Sequence, residues 1–471
     1  MGTSNDTDSG TRAAATEVLV RLDRSAGGPL RAQLEQQLRA LIRSGRLPAG
    51  ATLPSSRLFA ADLGVSRRLV VAAYQQLAAE GYLTSQQRSV TRVATVSPAR
   101  PVPAPNQPSP PRYDLRPGPP ALAEFPRAAW RKAFTAALST APDTALGYPD
   151  PQGSIVLRHA VATYLRRVRA VSADPDRIVI CAGFTQALAL LTHVLDPAFI
   201  ALENPGAVGR DRTIAAAGGQ HLALPVDQSG LRTDLLTDPA ITAVMVTPAH
   251  QFPLGVTLAP DRRTALLRWA QDGGLVIEDD YDAEFRYDRA PVGALQGLAP
   301  EHVAYLGTVS KTLAPALRLG WMVLPVPLVG PVTQAKADHD AGSPTLDQLA
   351  LAHLLDTGGY DRHLRRVRRL YRQRRDHLLA ALQRHMPITT ISGTAAGLHL
   401  VIQPPPHPDL ASMIADAARN DVAITGLDRY LLPDTAHDPG NRLVISYANI
   451  ATTAIDTAIA RLSRLAPETV S

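Results

Sequence analysis

The 471-residue sequence predicts a winged helix-turn-helix head followed by a large α/β domain with a mainly parallel central sheet, and three observations support this. Two short helical segments flank a glycine turn near the start, and an alternating stretch follows them. A proline-rich run interrupts the chain near residue 100. Beyond it, apolar strand candidates alternate with helical stretches, which is the pattern of an α/β domain.

Residues 1–16 are small and polar and are expected to form a disordered tail. The head spans 17–95. From Pro29, the residues Leu30, Leu34, Leu38, Leu41 and Ile42 recur at helical spacing. After the break Gly45–Gly50, residues 53–68 read as helix, tight turn, helix, with Gly64 permitting the turn and Ser66 capping the second helix. On that helix Val70, Tyr74 and Leu77 are expected to face inward, and Arg67, Arg68 and Gln75 outward. Residues 82–93 then alternate like two short strands joined by a polar tip, a wing. This head contains eleven arginines and five acids, an excess equal to the +6 of the whole chain. Positive charge concentrated on a helix-turn-helix marks a double-stranded DNA partner, with the Arg67–Arg68 end of the second helix placed to enter a major groove.

Residues 96–112 form a proline-rich linker, because proline fixes φ and donates no backbone hydrogen bond. From 113 to 471 the strand candidates are Ile178–Cys181, Phe199–Leu202, Ile241–Thr247, Leu275–Ile277, Val303–Leu306 and Met322–Leu324. Unusual residues recur just after them: Gly183-Phe184-Thr185, Glu203-Asn-Pro-Gly206, His250-Gln251, Asp279-Asp-Tyr281 and Ser310-Lys311. Ligands in such sheets bind at the carboxyl ends of strands. A smaller subdomain is expected from about residue 360, opening with an arginine-rich helix over 362–382 whose charges are mostly a solvated or inter-helix face.

Lys311 is one of three lysines in the chain, with Lys132 and Lys336. It follows a short apolar strand together with Thr308 and Ser310, and Arg318 lies seven residues on. A lysine amine forms a Schiff base with an aldehyde, and two hydroxyls with a guanidinium hold a phosphate dianion, so the segment suits pyridoxal 5'-phosphate. Asp279 and Tyr281 supply the other half: a carboxylate for the pyridine nitrogen and a phenol for the 3-oxygen. Gly183, Phe184 and Thr185 open a helix whose amides and dipole can take up the phosphate. Arg442 begins a strand, where its guanidinium either clamps an effector carboxylate or is an ordinary edge-strand charge.

Composition excludes other classes. Hydrophobic residues make up 45% and charged residues 19%, as in globular domains, and no apolar run approaches the roughly 20 residues of a membrane helix. The polar start has no signal-peptide core, so a cytoplasmic location is expected. The single Cys181 rules out an intrachain disulfide and a cysteine-rich metal site, and no metal is expected.

Over nearly its whole length the sequence resembles the MocR-type subgroup of GntR regulators, in which a winged helix-turn-helix is fused to a domain similar to fold-type I aminotransferases. The resemblance rests on Leu53-Pro-Ser-Ser-Arg57, Leu63-Gly-Val-Ser-Arg67, Ala73-Tyr74 and Glu80-Gly-Tyr-Leu83 in the head. In the large domain it rests on Gly147-Tyr148, Glu203-Asn-Pro-Gly206, His250-Gln-Phe-Pro253, Glu278-Asp-Asp-Tyr-Asp282 and Ser310-Lys311 with Arg318. The resemblance implies that Lys311 is the Schiff-base lysine, Asp279 the partner of the pyridine nitrogen, and Tyr281 a donor to the 3-oxygen. It further implies that Gly183, Phe184, Thr185, Thr308, Ser310 and Arg318 surround the phosphate, and that Tyr148 reaches in from the second subunit of a homodimer. Arg442 matches the arginine that holds an α-carboxylate, and Ser55, Arg57, Ser66, Arg67, Arg68 and the wing-tip Arg88 match DNA-facing positions. Three positions depart from the pattern: Ala207 stands where an aromatic residue often covers the cofactor, Gln87-Arg88-Ser89 replaces a glycine pair at the wing tip, and Phe252 stands where aminotransferases commonly carry asparagine.

Three functions follow from these residues. The first is a transcriptional regulator that senses pyridoxal phosphate, alone or as an adduct with an amino compound, and controls vitamin B6 or amino-acid metabolism genes. The second is a working aminotransferase with an appended DNA-binding domain, and the third a DNA-binding protein whose second domain is only a dimerisation scaffold. Turnover separates the first two, because an enzyme must also position a base, release product and accept a second substrate. The sequence favours effector sensing.

Overall fold

The computed structural model describes residues 20–25, 28–84, 90–95, 111–288, 292–404, 410–433 and 440–465. The chain divides into two compact units, Met1–Pro108 and Ser109–Ser471. The expected disordered tail, the wing tip with Arg88 and most of the linker lie outside the described residues.

The first unit contains helices α1 (Leu30–Arg43), α2 (Ser56–Leu63) and α3 (Arg67–Ala79), then strands β1 (Leu83–Thr84) and β2 (Arg92–Val93). Gly64 ends α2 at φ +63°, the left-handed conformation in which glycine carries no Cβ penalty. Ser55 and Ser66 cap α2 and α3, each accepting a backbone N–H at 3.3 Å, from Leu58 and Leu69. Leu34, Leu38, Val70 and Leu77 are fully buried between α1 and α3, and burying each such side chain contributes about 1.5–3 kcal/mol. Tyr74 is buried with them, its hydroxyl donating to the Pro54 carbonyl at 3.0 Å. β1 and β2 pair antiparallel, as a wing requires.

The second unit opens with β3 (Tyr113–Asp114), α4 (Arg127–Thr140), α5 (Ile155–Arg169), β4 (Ile178–Cys181), α6 (Phe184–Val194), β5 (Phe199–Asn204), α7 (Arg210–Ala216), β6 (Gln220–Asp227) and β7 (Gly230–Leu231). It continues through β8 (Ala243–Val246), α8 (Pro260–Gln271), β9 (Leu275–Asp280), β10 (Val303–Thr308), β11 (Gly320–Val323), α9 (Val326–Asp340) and α10 (Thr345–Asp356). The central sheet has the order β4-β11-β10-β9-β8-β5-β6-β7. β11 runs antiparallel to both of its neighbours and β7 antiparallel to β6, while the remaining pairings are parallel. Alternate strand residues feed opposite layers. Ile178, Ile180, Tyr305 and Trp321 pack in the layer that holds residues of α5 and α10, and Val179, Cys181, Leu306 and Met322 in the layer that holds residues of α6. Both faces are therefore covered, which explains why the strands read as continuous apolar runs.

The C-terminal layer begins with α11 (Gly359–His385), followed by β12 (Thr390–Ser392), β13 (His399–Gln403), α12 (Leu410–Arg419), β14 (Val422–Ala423), β15 (Thr425–Gly426), β16 (Leu443–Ser446) and α13 (Thr452–Ser463). The strand expected to begin with Arg442 starts one residue later, at Leu443. β3 pairs with β14, so residues just after the linker belong to this layer, with Tyr113 and Leu115 in its core.

Candidate functional site

The carboxyl ends of β4, β9 and β10 point to one edge of the sheet. Because β11 runs the opposite way, the residues that precede it arrive at that same edge. A cavity of about 490 Å³ opens there, lined by Phe184, Thr185, Asp279, Tyr281, Thr308, Ser310, Lys311 and Arg318 among others. The strand-end residues singled out in the sequence thus converge, although they span more than a hundred positions of chain.

Two parts of the cavity have different chemistry. At the α6 end, Gly183 adopts φ +95°, and a Cβ built there would stand 3.5 Å from the Arg318 guanidinium. The Thr308 and Ser310 hydroxyls lie 2.8 Å apart, and the Ser310 N–H donates to the Thr308 hydroxyl at 3.1 Å. Hydroxyls, a guanidinium and the open N-terminus of an 11-residue helix form a cradle suited to a phosphate dianion. At the other end, the Lys311 amine donates to the Gly118 carbonyl at 2.6 Å. Burial pushes this amine below its ordinary range, which favours the neutral form that attacks an aldehyde.

Asp279 sits at the end of β9 and is 5% exposed. Burial pushes its carboxyl up to about 6, against the pull of Arg210, whose guanidinium forms an ion pair with it. Tyr281 is held by His250, whose Nδ1 lies 3.0 Å from the Tyr281 hydroxyl and 3.0 Å from Asp282 Oδ2. Burial raises the Tyr281 phenol well above its usual value, so it stays a donor. Phe252 packs edge-on against Tyr281, His399 and Tyr430. His399 is buried and pushed down to about 4 mainly by that burial, and its Nε2 lies 2.9 Å from the Pro253 carbonyl.

Three expected residues are not on the cavity lining: Gly183, which sits beside the Arg318 guanidinium, Tyr148 and Arg442. Tyr148 is 99% exposed, and Arg442, partly buried, precedes β16. Arg429 and Arg210 are the arginines that line the cavity besides Arg318. Neither of the two had a signal in the sequence, where arginine is common. His250 was visible only as part of a motif, and the Gly118 carbonyl not at all.

In the first unit, Arg57, Arg67 and Arg68 are exposed, and the Arg67 Nε lies 3.4 Å from the Ser56 hydroxyl. The other basic residues of α1 are partly neutralised, with Arg31 and Arg39 paired to Glu35 and Arg39 also to Glu80. Among the described residues, Arg57, Arg67 and Arg68 have no ion pair, so positive charge is exposed at the start of α2 and α3. Ser55 and Ser66 already serve as helix caps, a role that also orients the N–H groups beside them.

Fold and site define a class: a helix-turn-helix head joined to a domain of the fold-type I aminotransferase architecture. Residues 30–93 match the bacterial regulatory proteins of the gntR family, and residues 120–462 match aminotransferase class I and II. The HTH-type pyridoxine biosynthesis transcriptional regulator PdxR of Corynebacterium glutamicum is 36% identical, over 84% of this chain and 88% of the relative. The probable rhizopine catabolism regulatory protein MocR of Rhizobium meliloti is 35% identical, over 81% of this chain and 83% of its own length. Among solved structures, kynurenine aminotransferase of Pyrococcus horikoshii superposes with a TM-score of 0.68 at 27% identity, covering 76% of this chain and 91% of that one. The chain belongs to the MocR-type branch of the GntR family and is a transcriptional regulator with an aminotransferase-like domain. Among the described residues, no helix is long and apolar enough to cross a membrane.

Proposed function

We propose that this regulator holds pyridoxal 5'-phosphate in the second unit and uses its loading, alone or with an amino compound, to set operator affinity in the cytoplasm. The observation that carries this reading is the convergence of Lys311, Asp279 and the Thr308–Ser310–Arg318 cradle on one cavity in a chain that also has a GntR head. The phosphate is assigned to the cradle, the aldehyde carbon to Lys311 and the ring nitrogen to Asp279. When bound, the cofactor supplies an aldehyde for capture of amines and a ring that withdraws electrons.

The protein's own residues account for retention and selection. Arg318 and the Gly183 turn supply charge and close approach for the phosphate, and Tyr281, oriented by His250, donates to the 3-oxygen. Arg429 and Arg442 are the candidates to hold an effector carboxylate. The exposed Tyr148 is the side chain a second copy would receive, which supports a homodimer. The target genes proposed are those of vitamin B6 or amino-acid metabolism, the former because a relative of the same architecture is named for pyridoxine biosynthesis.

A ligand shifts a DNA-binding equilibrium only if it binds the two states unequally, and ordinary couplings amount to about 5–150-fold. The test is operator affinity of the full chain with and without pyridoxal phosphate and candidate amines, at one salt concentration. The expected result is a shift within that range, lost in Lys311→Ala while basal DNA binding remains. Equal affinities reject the regulatory reading. The complete Lys311–Asp279–Tyr281 set favours a second reading, an active aminotransferase, and sustained amino-group transfer between two substrates would establish it.

A further inference from the structure

Arg210 is the feature of the cavity that the assigned roles leave unused. It begins α7, just after the Glu203-Asn-Pro-Gly206 stretch, and Gly209 at φ +87° turns the chain into that helix. Its side chain is only 8% exposed, and its guanidinium forms an ion pair with Asp279, also buried. The guanidinium lies 5.1 Å from the centroid of the Phe184 ring, and its Nε–H has no acceptor among the described residues. Ala207 lines the same cavity as Arg210 and brings no aromatic ring to it.

Two cations therefore compete for one carboxylate. A pyridine ring bound at Asp279 becomes a pyridinium only if the carboxylate favours the added positive charge, and Arg210 has already neutralised it. The groups that bear on Asp279 are Arg210 from α7, Asp280 and Asp282 from its own segment, and Lys311 after β10. Burial opposes its ionisation and Arg210 supports it, so the pair is charged but internally compensated.

We propose that Arg210 is a positioning residue that holds Asp279 ionised and shares it with the cofactor ring nitrogen, so that the bound ring remains largely unprotonated and a weak electron sink. The inference rests on the cofactor-binding reading above, and on that reading it gives a chain with the lysine, acid and phenol of an aminotransferase a way to hold a ligand with slow turnover. A weak sink leaves capture at Lys311 intact, because that step uses the aldehyde carbon, and slows the proton removal that turnover requires.

The test loads the full-length protein with pyridoxal phosphate carrying ¹⁵N in its ring and reads the nitrogen resonance in wild type, Arg210→Met, Arg210→Lys and Asp279→Asn. The wild-type signal is expected near the neutral-pyridine range. Arg210→Met, which keeps an apolar contact with Phe184, should move it to the pyridinium range, and Arg210→Lys should hold it near the wild-type position. Asp279→Asn should stay neutral. A wild-type signal already in the pyridinium range, unmoved by Arg210→Met, overturns the inference but leaves the cofactor reading standing. Failure of every form to take up the labelled compound overturns both. If Arg210→Met does not fold, the lysine variant and the wild-type position alone decide, since a pyridinium wild type is sufficient to reject the proposal.

Discussion

The Arg210–Asp279 pair makes a stability prediction for the cofactor-free chain, with opposite behaviour at its two ends. Both groups are nearly buried, and removing one partner of such a pair costs about 3–5 kcal/mol because the other charge is stranded. Asp279→Asn should escape most of that cost, because burial already favours the neutral carboxyl over the paired carboxylate. Arg210→Met should cost less at pH 6, because Asp279 can take up a proton. With Arg210 present its carboxyl already stands at about 6 against an ordinary 3.8, equivalent to about 3 kcal/mol of resistance to ionisation. The folded protein thus binds this proton more tightly than the unfolded chain. Its contribution to stability is full below about pH 4 and declines as pH rises through 6. In Arg210→Met the decline should be larger and extend to higher pH, and the double variant, which lacks the carboxyl, should lose this pH dependence altogether. Urea unfolding at pH 6 and pH 8, followed by tryptophan fluorescence, reports this unit alone, because all three tryptophans, Trp130, Trp269 and Trp321, lie beyond residue 108. An Arg210→Met variant no more pH-dependent than wild type, or an Asp279→Asn variant that loses the full penalty of about 3–5 kcal/mol at pH 8, would refute the reasoning.

Three further outcomes are expected. Lys311→Ala should remove the visible absorbance of protein incubated with pyridoxal phosphate while far-ultraviolet circular dichroism is unchanged; an intact band would relocate the reactive amine. Gly183→Ala forces a Cβ into a left-handed backbone beside Arg318, and should cost about 1–3 kcal/mol. Weaker retention of the cofactor by equilibrium dialysis is the measurement, and unchanged retention would separate the Gly183 turn from the phosphate. Arg67→Ala should lower operator affinity by about 1–3 kcal/mol if it reads a guanine edge, or flatten the salt dependence if it touches phosphate. Unchanged binding after combined replacement of Arg57, Arg67 and Arg68 would assign the head to a protein partner.

The parts of the molecule that were legible in the sequence share a physical reason. Lys311 stood out because lysine is scarce here, and Asp279 and Tyr281 because acids end a fully buried apolar run. The helix-turn-helix was legible because its core positions keep helical spacing and its Gly64 turn needs a left-handed residue. Strand β6 was not, since its residues are mostly half-exposed and Pro225 interrupts the run. Of the C-terminal sheet only β16 was read as a strand, and the others escaped because they are short, of two to five residues each. Arg210 could not be found at all. Its partner is 69 positions away, and nothing local distinguishes a buried arginine from the solvated ones around it.

A sensing site differs from a catalytic one in needing an empty state that persists. The cavity has internal partners for both of the groups that a cofactor would engage: Arg210 compensates Asp279, and the Gly118 carbonyl accepts from Lys311. On the proposed reading, an aldehyde captured at Lys311 would alter the donor that Gly118 accepts from, and Gly118 lies in residues 111–121, which follow the linker directly in the chain. The same segment is fixed before Gly118 by β3 pairing with β14 and after it by the Ala121 N–H, which donates to the Tyr371 hydroxyl at 2.9 Å. Loading would then alter one contact of a segment that is otherwise held on both sides of Gly118, in the residues that follow the linker in the chain. On the proposed reading, amide exchange in residues 111–121 should change when wild type is loaded and remain constant in Lys311→Ala. Identical exchange in loaded and empty wild type would exclude this segment as the route by which the cavity biases DNA binding.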